Sequence, residues 1–131
     1  MDKLTKQQQA SQQWQASTTP PPPNAYCPVR TTLNVLGGKW KLLILSYLLH
    51  EPRRYGELKR LVPEITEKML IQELRELELD GIVARRVYQQ VPPKVEYYLT
   101  DLGQEVKPLF QALVGWGQDY IQRTGVPAPV F

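Results

Sequence analysis

Apolar residues recur at helical spacing through residues 65–81, ITEKMLIQELRELELDG, where Leu70, Leu74 and Leu77 fall on one narrow stripe at about 100° per residue, with Thr66 near its edge. The opposite face carries Lys68, Gln72 and Arg75. The pattern predicts an amphipathic helix keeled on leucine, opened by Thr66 as N-cap and stopped at Gly81. Upstream, Val29, Leu33 and Leu36 predict a helix entered at Cys27-Pro28 and ended by Gly37-Gly38. Trp40, Leu43, Ile44, Tyr47 and Leu48 make residues 39–49 too apolar for a surface helix, so this is the expected central core helix, stopped by Glu51-Pro52. Residues 53–55 have room for a very short strand, and Leu58, Leu61 and Val62 mark a brief helix that Pro63 ends.

After Gly81 the period becomes alternating. Residues 82–91 are rich in Val, Tyr and Arg, Pro92-Pro93 interrupts them, and Val95, Tyr97 and Leu99 resume on one side, which predicts a hairpin with a rigid tip. Thr100-Asp101 then opens one long helix to about Arg123, with Leu102, Val106, Phe110, Leu113 and Tyr120 on its apolar face and a bend at Pro108. Such a face is more than a small domain covers, so its surplus should meet another subunit. The connection from Pro63 to Thr66 has the length found between the two helices of a helix-turn-helix.

Residues 1–24 are polar, with glutamine clusters and the run Pro20 to Pro23, and read as a disordered arm in which Trp14 alone has burial value. Residues 25–124 then form the domain, and 125–131, with two prolines, an irregular tail. The fold class expected is mainly α with a small β hairpin (α+β). A chain of 131 residues with 42% apolar residues holds one such domain, and dimerisation is a common supplement at this size. A net charge of +3 fits a polyanionic partner without requiring one. One cysteine excludes an intrachain disulfide, and the start of the chain has no charged and apolar leader, so a reducing cytosol is the expected compartment. No apolar run approaches the ~20 residues of a membrane span.

Little in the chain suggests catalysis. His50 is the single histidine, so no His-based metal cluster or histidine triad can be assembled, and neither a cofactor nor a metal is expected. Gly37-Gly38-Lys39-Trp40 lacks the spacing of a phosphate-binding loop and reads as a tight turn. Cys27 is the one residue with chemical potential: a helix N-terminus with Arg30 nearby favours the thiolate, while the plain reading is an inert packed thiol.

The blocks Cys27-Pro28-Val29, Gly37-Gly38-Lys39-Trp40, Leu74-Arg75-Glu76-Leu77-Glu78 and Val91-Pro92-Pro93-Lys94-Val95-Glu96-Tyr97, in that order, resemble the HxlR-type family of bacterial winged helix-turn-helix transcription regulators, over about Cys27 to Trp116. The resemblance implies a winged helix-turn-helix with flanking dimerisation helices that binds double-stranded operator DNA as a homodimer on a partly palindromic site. The helix from Thr66 to Asp80 would lie in the major groove, the hairpin around Pro92-Pro93 would be the wing, and the segment near Cys27 with the helix from Val106 to Arg123 would pair subunits. A nucleoid-associated place in the bacterial cytoplasm follows. In some members a cysteine at the Cys27 position senses electrophiles or oxidants. Where the family carries a small hydroxyl residue and, two positions on, an arginine, this chain has Ile71 and Glu73.

Together these readings place Lys68, Gln72 and Arg75 at base edges, add Thr66 and Ile71 of the same helix to the DNA-binding residues, and put Arg53, Arg54, Arg85, Arg86 and Lys94 at phosphates. Of Arg85 and Arg86, which alternate across a strand, only one faces DNA and the other meets solvent or an acid. Residues 66–78 carry four acids, Glu67, Glu73, Glu76 and Glu78, against the two bases Lys68 and Arg75. Glu73 falls beside the leucine stripe, where it would pair internally. That acidic balance keeps open a winged helix that binds protein in place of DNA, and Cys27 keeps open, more remotely, a thiol enzyme, for which the chain offers no partner cysteine, nearby histidine or pocket motif.

Overall fold

The computed structural model describes residues 27–126, and the expected arm of residues 1–24, Trp14 and the tail beyond Val126 lie outside it. The chain divides at Gly38/Lys39 into two compact units. In the first, α1 (Pro28–Leu36) starts as expected, with Cys27 extended at the N-cap and Pro28 in the first turn. Its end is tight: the Gly37 N–H donates to Leu33 O at 2.8 Å, and Gly38 follows with φ +92°. Leu36 is buried, whereas Val29 and Leu33 are exposed.

The second unit holds the helix-turn-helix and the wing. Helix α2 (Lys41–Leu48) buries Ile44, Leu45 and Leu48 and is the core helix its apolarity predicts. Only one residue of the expected short strand pairs: Arg53 exchanges backbone hydrogen bonds with Tyr97, and α3 (Tyr55–Leu61) begins two residues later. The Glu57 carboxylate accepts the Arg54 N–H and so closes the helix start. Leu58 and Val62 are buried, and Pro63 follows the helix end. Helix α4 (Glu67–Leu79) opens on Thr66, whose Oγ1 accepts the Met69 N–H at 3.1 Å.

Gly81 turns the chain at φ +78° into β1 (Val83–Tyr88), which pairs antiparallel with β2 (Lys94–Leu99). The register places Arg86 opposite Glu96 and Val83 opposite Leu99, so Val83 and Leu99 bury at the base of the hairpin while the tip, with fully exposed Val91, reaches into solvent. The Val91-Pro92 peptide is cis.

The single long helix expected after Thr100 is two. Thr100 caps the one-turn α5 (Asp101–Gln104), the chain breaks at Glu105, and α6 (Val106–Thr124) continues to Gly125. Pro108 explains the break: it has no N–H to give the Gln104 carbonyl, and its ring would clash with that carbonyl in a continuous helix. Instead of bending a helix interior, Pro108 therefore sits in a first turn. Thr100 Oγ1 donates to Gly81 O at 2.6 Å, tying α5 to the turn after α4. Gly103 is buried here, and a Cβ on it would lie 2.2 Å from Ile82 O, so this contact admits only glycine. No helix among the described residues is long and apolar enough to cross a membrane.

Candidate DNA-binding surface

The leucine keel sets the orientation of α4. Leu70, Leu74 and Leu77 are each at most 2% exposed. At about 1.5–3 kcal/mol for each buried leucine, this outweighs any exposed ion pair on the helix. The orientation leaves Lys68, Ile71, Gln72 and Arg75 exposed on the other side, with Thr66 exposed at the leading end. These five candidates lie on one helix and its cap.

The acids of α4 are largely occupied elsewhere. Lys41, the first residue of α2, is only 8% exposed and reaches across to Glu76 Oε2 at 2.7 Å and Glu73 Oε2 at 3.8 Å. Glu73 thus turns inward, as its place beside the leucine stripe predicts, but 3.8 Å is too long for a hydrogen bond, and its buried Oε2 accepts none. Burial pushes the Glu73 carboxyl above its ordinary pKa, and nearby Glu76 adds to this against the pull of Lys41. Hydrogen bonds from Lys41 and Gln72 hold Glu76 below the usual carboxylate range. Glu78 accepts Arg85 Nε at 3.0 Å. Three of the four acids are therefore paired with cations from other elements, and the outer face is less acidic than the sequence count suggests.

The basic residues around α4 divide into two sets. Arg54 is exposed before α3. Arg53, expected at phosphate, is instead half-buried: Nε donates to Tyr47 O at 3.1 Å and a guanidinium N–H to Glu51 at 2.9 Å. On the hairpin, Arg85 is the arginine that meets an acid. The other face carries Arg86 over the Tyr98 ring at 4.8 Å and Lys94 over Tyr88 at 4.7 Å, with Glu96 holding Lys94 at 2.9 Å. The two tyrosines thus support the wing cations, a role that Val/Tyr alternation alone does not reveal.

The face expected for subunit pairing also changes membership. Val106 is only 7% exposed and belongs to the core of its own unit. Phe110 is half-buried and lines a hollow of about 270 Å³ with Leu49, His50, Lys107, Gln111 and Val114. Leu113 and Tyr120 are exposed as expected, and Leu109, Trp116 and Ile121 join them, with Trp116 stacked on Tyr120 at 5.2 Å. Cys27 is half-buried at the N-cap of α1. Among the described residues no group of three or more His, Cys, Asp or Glu side chains is placed to hold a metal ion.

The HxlR-like helix-turn-helix family model matches residues 35–125. The chain belongs to that family. Among HxlR-like relatives, the HTH-type transcriptional regulator YkvN of Bacillus subtilis is 54% identical over 97 residues, covering 74% of this chain and 82% of YkvN. The redox regulator HypR in its oxidised form is 48% identical, with a TM-score of 0.68 over 71% of this chain and 96% of that one. The diamide-treated YodB of Bacillus subtilis is 36% identical, with a TM-score of 0.63 over 72% of this chain and 94% of that one. The HxlR-like fold here is the winged helix-turn-helix of a transcription regulator, with α3 and α4 as its helix pair and β1–β2 as its wing.

Proposed function

We propose that the chain is a sequence-specific DNA-binding transcription regulator that acts as a homodimer on a partly palindromic operator. The observation that carries this is the division of α4, whose leucines are buried while Lys68, Ile71, Gln72 and Arg75 stand exposed behind a capped N-terminus. In this reading α4 enters the major groove, Lys68, Gln72 and Arg75 meet base edges, and Thr66 and Ile71 contact the groove wall. Arg54, Arg86 and Lys94 supply phosphate contacts. Arg53 and Arg85 mainly hold their own elements, through Tyr47, Glu51 and Glu78. The exposed side of α6, with Leu109, Leu113, Trp116, Tyr120 and Ile121, pairs with a second copy.

Titration of a labelled random duplex against salt tests the electrostatic part. Affinity should fall steeply as salt rises. A flat response would favour the protein-binding winged helix, a reading already weakened by the pairing of Glu73, Glu76 and Glu78 with Lys41 and Arg85.

Cys27 is assigned as a sensor of electrophiles or oxidants. Its half-buried place at the start of α1 and the likeness to a redox regulator support this. Diamide should change operator affinity in the wild type and leave Cys27→Ser unaffected; an equal response in both would make Cys27 structural.

A further inference from the structure

Glu76 is engaged on both sides. Its Oε2 accepts from the Lys41 ammonium at 2.7 Å, and its Oε1 accepts from Gln72 Nε2 at 3.3 Å. An exposed pair one turn apart on a helix is by itself a loose contact. Here the acceptor is anchored from beneath, because Lys41 is nearly buried at the start of α2 and moving Glu76 away would leave its charge only Glu73, at 3.8 Å. A carboxylate only accepts, so the group that Gln72 turns toward it must be the NH2 of its amide. The amide oxygen then lies on the other arm of the same planar group, and the second N–H stays available.

We propose that Glu76, locked by Lys41, determines specificity by fixing the amide orientation of Gln72, so that the base facing Gln72 is adenine. This deepens the proposed function and rests on α4 entering the major groove. Adenine offers an N6 amino donor for the amide oxygen and an N7 acceptor for the remaining N–H. Guanine presents two acceptors, O6 and N7, and an amide oxygen held outward faces O6 unpaired. Thymine presents only an acceptor, and cytosine only a donor. Lys41 and Glu76 are positioning residues, and Gln72 makes the contact.

Selection from a random duplex pool with the full chain tests this. Each half-site should contain one adenine whose preference Gln72→Ala erases while the other positions keep theirs. Replacing that adenine by purine, which lacks the 6-amino group, should cost the wild type roughly tenfold in affinity. In Glu76→Gln the two neighbouring amides pair in either sense, so preference for adenine over guanine at that position should fall roughly tenfold with the other positions unchanged. A role in folding alone would lower affinity equally for all sequences. An unchanged adenine preference in Glu76→Gln overturns the proposal, as does an unaffected affinity for the purine-substituted site, a measurement that needs no variant to fold. If no duplex is enriched at all, the DNA-binding reading fails and this proposal with it.

Discussion

Arg85 on the first wing strand donates its Nε–H to Glu78 on α4 at 3.0 Å, so the second helix of the helix-turn-helix and the wing are joined by a side-chain pair as well as by the turn at Gly81. Both side chains are partly exposed, and such a pair contributes only about 0–1 kcal/mol. Its consequence is geometric: it uses one wing arginine to orient the hairpin and leaves Arg86 and Lys94 on the other face.

The exposed face of α4 gives the first expectation. Arg75→Ala should weaken binding to a selected operator by about 1–3 kcal/mol if Arg75 meets a base, and should change stability by less than about 0.5 kcal/mol because the residue is exposed. Fluorescence anisotropy alongside thermal unfolding separates the two effects.

For assembly, Leu113→Arg places a charge in the exposed apolar strip of α6. Sedimentation should show the wild type as a dimer at micromolar concentration and the variant as a folded monomer. Operator affinity should fall with the dimer. A monomeric wild type with full operator affinity would contradict the pairing role of α6.

Gly103 offers a stability test. An added Cβ would sit 2.2 Å from Ile82 O, against backbone that cannot swing aside. Gly103→Ala should destabilise by about 1–3 kcal/mol, read as a lower midpoint in denaturant. An unchanged midpoint would mean that α5 shifts freely.

Glu73 makes the stability depend on pH with a definite sign. Burial raises its carboxyl above the ordinary 4.5, so the folded state holds the proton more tightly than the unfolded state. The stability this contributes is fully present below 4.5 and is lost as pH rises through the folded value. Glu73→Gln should therefore melt at or above the wild-type temperature at pH 7, and its advantage should disappear as pH falls below 4.5. The groups facing Glu73 are Lys41 and Glu76, and Lys41 keeps Glu76 in the variant. A variant clearly less stable than the wild type at pH 7 would show that Lys41 more than offsets the cost of burying Glu73.

The elements legible in the sequence are those fixed by local chemistry. The leucine stripe, the Thr66 cap, the turn at Gly81 and the hairpin around Pro92-Pro93 depend on neighbours a few residues away, and each stands as expected, whereas the strand register is supplied by the structure alone. The part played by Lys41 is not legible, although it lies three, four and seven positions before Ile44, Leu45 and Leu48 and so shares their buried face. Its acidic partners belong to another helix, which no spacing along the chain reveals. Arg53 has the same difficulty, since its engagement depends on how α2 ends. On one continuous helix Val106 shares a face with Phe110 and Leu113 and so reads as part of a subunit seam, whereas after the break at Glu105 it is buried in the core of its own unit. Pro108 carried the signal for that break.

The interruption at Glu105 also sets the direction in which α6 leaves the core that holds its first residue, Val106. Below it, α5 is fastened to the turn after α4 through Thr100 and Gly81. Beyond it run the 19 residues of α6, about 28 Å of helix. A difference of about 10° in that direction displaces the far end by about 5 Å, more than the roughly 3.4 Å between successive base pairs. In a dimer joined along α6, the backbone angle at one residue would act as a caliper screw, setting how far apart the two reading helices stand.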